Sequence, residues 1–256
     1  MTNSRIYKNE NARKNDKLFC QIENLLGIPT VNLVSFFASQ DNNNRPDWKV
    51  KYNVKYDLQG FYLNRKIDRR IPYPWPEEIE DEISNISSYK HFVWISNTSC
   101  NSSDISLAWL YSHELQHLLQ VLKNKYILIV SELLDYAKYE MHAIDNPTEL
   151  ESELTAKRIV SEIFGKQECN FFLKNMKKTS KYNSVRFGKL LQLSEFEEFD
   201  VEKVVQNDIC ANKSFMKYIQ KLWCDNELTN YNIDIDNLCN CQDPHRDIIS
   251  SVKKRH

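Results

Sequence analysis

Residues 104 to 123 read DISLAWLYSHELQHLLQVLK, and the fold is best approached through this stretch because its pattern is that of one long helix carrying chemistry. At 100° per residue, Leu107, Leu110, Tyr111, Leu115, Leu118, Val121 and Leu122 share a wide apolar arc, with Ser106, Ser112, Gln116 and Gln120 on the other side. Ser102, Ser103 and Asp104 are candidates to cap its start. His113 and His117 stand four residues apart, so they lie on one face, about 5–6 Å apart at Cβ, within reach of one shared ion. Glu114 falls inside the apolar arc, and the two histidines sit at its edge. An ionised carboxylate facing a core is costly, so a metal ion and its water give Glu114 a reason to be there. As general base it would act on a water whose pKa a zinc ion lowers to about 7. A catalytic zinc usually takes three protein ligands and keeps one position open. Lys123 stands where the extended HExxHxxGxxH pattern has its third histidine, so the third ligand must come from elsewhere.

Outward from this helix, the upstream half carries the strand signals. A helix is expected over Asp16–Leu26, and the apolar run at 31–37 fits either a strand or a helix. Residues 50–58 alternate, with Val50, Tyr52, Val54, Tyr56 and Leu58 on one face, and predict a half-buried strand. Gln59 and Gly60 then offer a turn, with residues 61–67 returning as a hairpin partner. The prolines of IPYPWPEE predict an extended connection to an acidic helix over 77–84, and a third strand is expected over His91–Ile95. Downstream the patterns are helical, over 127–141, Pro147–Phe164, 170–178 and shorter pieces to Leu222. Pro147 suits a first helical position, Glu149 and Glu151 suit its positive end, and Gly165 suits its stop. The expectation is a single α+β domain. Residues 1–125 would hold a small twisted sheet and the motif helix, and residues 126–256 a mostly helical lobe, with a metal in the cleft between them.

Composition narrows the functions available. With 34 basic against 35 acidic residues, no field draws in nucleic acid or an anionic membrane. The N-terminal stretch is polar, and no run approaches 18 apolar residues, so a cytoplasmic protein is expected. Seven scattered cysteines point to reduced thiols. The four glycines, Gly27, Gly60, Gly165 and Gly188, are too dispersed for a phosphate-cradling loop or a dinucleotide fingerprint.

His113-Glu-Leu-Gln-His117, followed 32 residues on by Glu149-Leu-Glu-Ser-Glu153-Leu-Thr-Ala156, resembles the gluzincin class of zincin-type zinc metallopeptidases. Those enzymes pair HExxH with a later helical ExxxD or ExxAD signature. The resemblance implies a zincin-like fold, a zinc cofactor and a peptide or protein substrate. It implies Glu149 as third ligand and Glu153 as a hydrogen-bond partner of a ligand histidine, with Ser152 and Ala156 at the small-residue positions. The departure is glutamate for aspartate at 153, one methylene longer. It covers two segments, about fifteen residues in all. From helical spacing alone Glu149 and Glu153 share a face that Glu151 does not, so either can be the direct ligand.

His142, Tyr136 and Tyr139 are candidates to stabilise a developing oxyanion. The strand over His91–Ile95 fits the sheet of this class, whose edge strand pairs with an extended substrate. Cys224, Cys239, Cys241 and His245 could in principle form a structural zinc site, although their spacing is not a standard finger pattern. Trp75, Phe61, Tyr62, Tyr73 and Trp94 could line a pocket, with a core role the commoner fate, and the acidic run at 194–202 reads as a solvated face. Two rival functions stand beside the peptidase. One is a regulatory protein similar to the ImmA/IrrE-like group, cleaving or only binding one protein partner. The other is a non-enzymatic helical interaction module in which the motif is accidental.

Overall fold

The computed structural model describes residues 3–41, 59–64, 89–124, 127–128, 146–194, 201 and 204. Their architecture is mixed α and β, a small four-stranded sheet with a mostly helical remainder. Met1–Leu119 and Ser152–Phe196 form one compact unit, and Gln120–Glu151 with Glu197–His256 form a second.

The sheet of the first unit contains β1 (Ser4–Tyr7), β2 (Leu33–Phe37), β3 (Gly60–Asn64) and β4 (His91–Ile95), in the order β1-β2-β4-β3. β1, β2 and β4 run parallel, and β3 is antiparallel to β4. The crossover from β1 to β2 carries α1 (Glu10–Lys14) and α2 (Asp16–Leu26). α2 stops at Gly27, whose φ of 63° is the left-handed conformation glycine adopts without strain. All five residues of β2 are buried, which settles the ambiguous run at 31–37 as a strand. An interior strand covered on both faces has no polar side to show, so alternation is lost.

Successive residues point to opposite faces. On one, Val34, Phe36, Phe61, Leu63, Phe92 and Trp94 form a buried cluster, with the Phe61 and Trp94 rings stacked at 5.4 Å. These two aromatics are core residues. The other face packs against α2 and α4 (Asp104–Lys123), which follows the short α3 (Asn97–Cys100): Phe19 stacks on Phe37 at 4.3 Å and meets Tyr111 edge-on at 4.9 Å. Tyr111 Oη donates to Glu23 Oε1 at 2.6 Å and lies 2.9 Å from Ser35 Oγ, while Arg5 reaches the same Glu23 oxygen at 3.4 Å. Burial first, and then the Glu23 carboxylate, push the Tyr111 phenol well above its ordinary range. These bonds satisfy polar groups that would be costly to bury alone, and they tie α2 and α4 to the sheet.

On the same face His91 Nδ1 lies 2.8 Å from the Tyr62 hydroxyl. Burial, helped by the Lys90 charge, lowers the His91 pKa. Below about pH 6.5 the unfolded chain therefore binds a proton that the folded chain resists, and stability falls as pH falls through this region. Unfolding midpoints in urea are expected to decline below pH 6.5 and to decline less in His91→Gln. An equally steep decline in the variant would remove His91 from the effect.

α4 begins at the cap supplied by Ser103, whose Oγ accepts from Ser106 N at 3.4 Å and whose carbonyl accepts from Leu107 N at 2.9 Å. Residues 111–118 are buried without interruption, including Ser112 and Gln116 on the side expected to be polar. The sheet covers one side of α4. Residues 152–164 of α5 (Pro147–Phe164), with α6 (Lys166–Met176) and α7 (Lys181–Gln192), cover the other. Trp109 packs against Phe172 at 5.5 Å and Phe187 at 6.0 Å. Lys157, itself buried, donates from Nζ to Leu190 O at 2.9 Å and Leu193 O at 2.6 Å, closing the C-terminal carbonyls of α7. Gly165 ends α5 as expected. Its φ of 91° permits the reversal into α6, which starts and stops earlier than the predicted 170–178.

In the second unit, Asn146 caps the start of α5: its Oδ1 accepts from Thr148 N at 3.0 Å and its carbonyl from Leu150 N at 2.8 Å. Pro147 takes the first helical position, where no amide hydrogen is needed. Gln120 donates to Thr148 O at 2.9 Å and to Glu151 Oε2 at 2.7 Å.

The expected strand at 50–58 and helix at 77–84 lie outside the described residues, as does the helix at 127–141 beyond its first two positions. Gly60, placed in a turn by the sequence, instead opens β3 opposite Ile95. The strand at 91–95 is interior, between β2 and β3, so among the described strands β1 and β3 are the edges of the sheet. Among the described residues no helix is long and apolar enough to cross a membrane.

Candidate metal centre

The predicted residues meet where α4 faces α5. One turn of helix brings the His113 and His117 rings to 4.8 Å between centroids, nearly perpendicular at 81°, with their Nε2 atoms 3.1 Å apart. Both rings are buried. Each is oriented from behind by α5: His113 Nδ1 lies 3.3 Å from Glu153 Oε1, and His117 Nδ1 lies 3.3 Å from Ser152 Oγ. A polar partner behind Nδ1 favours the tautomer whose Nε2 lone pair points forward. Two nitrogens bound at about 2.0–2.1 Å to one tetrahedral ion stand about 3.3 Å apart, close to the separation seen. The donor set therefore fits a zinc ion.

Glu149 lies one turn before Glu153 on the continuous helix α5. One ligand atom each from His113, His117 and Glu149 lie within 4.8 Å of one another. Glu153 is turned to other partners. Trp109 Nε1 donates to its Oε2 at 3.0 Å, and Arg186 from α7 donates to its Oε1. Burial alone would raise the Glu153 carboxyl, but the Arg186 guanidinium and the His113 ring outweigh it and hold the group below the usual carboxylate range.

Glu114 is buried on α4 at 5% exposure, on the sheet-facing side of the motif. The closest strand position is Gly60, where a Cβ would come within 3.2 Å of Glu114 Oε1, 3.2 Å of Trp94 O and 3.3 Å of Ile95 Cδ1. The missing side chain thus makes room for the carboxylate. Gly60→Val is expected to cost about 1–3 kcal/mol of stability, the usual range for overpacking, because the added carbons meet the Trp94 carbonyl as well as Glu114. An unchanged urea unfolding midpoint in that variant would show that the space at Gly60 is immaterial.

Gly60 and Arg186 were not among the residues the sequence singled out for the site. A glycine within a strand, in a chain holding only four, was the available signal for Gly60. Arg186 had none, because its partner is 33 residues away and is met only through helix docking. His142, Tyr136, Tyr139, Cys224, Cys239, Cys241 and His245, with Tyr73 and Trp75, lie outside the described residues. The thiols of Cys100 and Cys169 are buried and donate to Ile95 O at 3.8 Å and Lys157 O at 3.7 Å.

No family model matches this chain, and neither curated proteins nor solved structures show a significant match to it.

Proposed function

We propose that this protein is a zinc-dependent metallopeptidase with a zincin-like arrangement of sheet and motif helix. The observation that carries the reading is the 3.1 Å approach of two buried Nε2 atoms whose outer nitrogens are each turned toward a partner on α5. Buried as they are, two imidazoles gain little from facing each other across so short a gap unless a proton or a cation lies between them. The continuous polar backing favours a cation.

In this reading His113, His117 and Glu149 hold the ion, and Glu153 orients His113. A zinc ion held there would supply Lewis acidity that polarises a carbonyl oxygen and acidifies water. Glu114 would accept the proton of the water attacking the peptide carbonyl and pass it to the departing amine nitrogen. Glu114 is buried, so little solvent competes with substrate for its carboxylate. Gly60 lets β3 approach the Glu114 carboxylate closely, so an extended peptide pairing along that strand would run near the base.

The test is hydrolysis of a degenerate peptide mixture by the full chain, followed by mass spectrometry. Cleavage that stops on chelation and returns with stoichiometric zinc is the expected result. Cleavage indifferent to chelation, or none across a broad peptide set, would contradict a peptidase, and the second outcome would move the weight to a protein that only binds its partner.

A further inference from the structure

We propose that Arg186 is a positioning residue of the metal centre, acting on His113 through Glu153; the inference rests on the zinc reading above. Glu153 has two oxygens and three partners. Its Oε2 is held by Trp109 Nε1 at 3.0 Å, while its Oε1 faces both the Arg186 guanidinium and, at 3.3 Å, His113 Nδ1. The carboxylate side chain is only 3% exposed. At that depth an ionised carboxylate needs a counter-charge, and the indole supplies a hydrogen bond but no charge. Arg186 supplies the charge. It reaches in from α7, keeps 26% of its side chain exposed and lies over the Phe187 ring at 5.1 Å, so its own desolvation is partial.

The guanidinium and the indole together fix the plane of the carboxylate. That plane determines whether Oε1 meets the Nδ1 hydrogen of His113, and through it whether the Nε2 lone pair points at the ion. Removing Arg186 leaves a buried charge with its chief counter-ion gone, and the carboxylate is drawn away from the ring. The rest of the α5–α7 contact does not depend on it. Lys157 closes the end of α7 through Leu190 O and Leu193 O, and Phe187 and Leu190 are buried in the same seam. A helix-docking role and a metal-positioning role can therefore be separated.

The experiment measures zinc affinity of the full chain by competition with a chromogenic chelator, alongside thermal unfolding without metal. Arg186→Gln is expected to weaken zinc binding about 10–100-fold, the usual cost of losing an outer partner of a metal ligand. Arg186→Lys, which keeps the charge but not the fork, is expected to fall between wild type and Arg186→Gln. Lys157→Met is expected to lower the unfolding midpoint and leave zinc affinity unchanged. In the Glu153→Gln background, Arg186→Gln is expected to add no further loss, because the two act as one unit. Unchanged affinity in Arg186→Gln, or an equal loss in Lys157→Met, overturns the proposal while leaving the metal centre standing. A wild-type chain that binds no zinc overturns both together.

Discussion

Glu114→Gln is expected to lower peptide turnover by about 10²–10⁴-fold while leaving the zinc content of the protein unchanged. The amide matches the carboxylate in shape, so the close packing against Gly60 is preserved. What is lost is the ability to accept a proton from water and return it to the leaving nitrogen. Because Glu114 sits between the two proposed ligands in the chain but on the sheet-facing side of α4, the substitution would not remove a donor to the ion. The readout is kcat alongside zinc per chain. Retained turnover would take Glu114 out of the mechanism, and lost zinc would recast it as a structural support of the site. The variant also separates an enzyme from a protein that only binds its partner, since a binder would keep its affinity.

The second large effect concerns stability. Removing zinc is expected to destabilise the folded chain by about 4 kcal/mol when the ion had been present at about 1,000 times its dissociation constant. For a chain of this size that corresponds to a fall of about 10 °C in the unfolding midpoint. The physical reason lies in the depth of the pair. His113 and His117 are each 7% exposed, and without an ion their facing nitrogens must share a proton or lose one hydrogen-bond partner. Metal binding requires neutral imidazoles, so the stabilisation should weaken as pH falls and protons compete for the same nitrogens. The His113→Ala/His117→Ala variant is expected to show no chelation-dependent shift. A shift of wild-type size in that variant would place the stabilising ion elsewhere.

Much of the site was legible because its parts are local. The four-residue spacing of His113 and His117 fixes their shared face as soon as the helix is recognised, and Glu114 is assigned to the apolar arc by the same 100° rotation. Glu149 and Glu153 follow from one turn of a second helix whose start, Pro147 after the Asn146 cap, is written in its composition. What could not be read is what depends on docking. The polar arc of α4 was expected to face water, yet Ser112 and Gln116 are buried because helices cover that side as well as the sheet the other. β2 escaped recognition as a strand because an interior strand shows no alternation, and β1 because four half-buried residues carry too little pattern. β4, whose place at an edge or in the core the local pattern left open, is interior, since β3 pairs with its far side across a gap in sequence that local periodicity cannot bridge. Arg186 belongs to the same class of long-range contacts.

Zinc stoichiometry of the purified full chain, joined to X-ray absorption at the zinc edge, tests the shared-ion claim most directly. The account predicts one zinc per chain, with two imidazole nitrogens at about 2.0–2.1 Å in its coordination shell, and loss of that zinc in His113→Ala/His117→Ala. A wild-type chain without a divalent ion, or a double variant that keeps the same zinc with the same imidazole scattering, would contradict it.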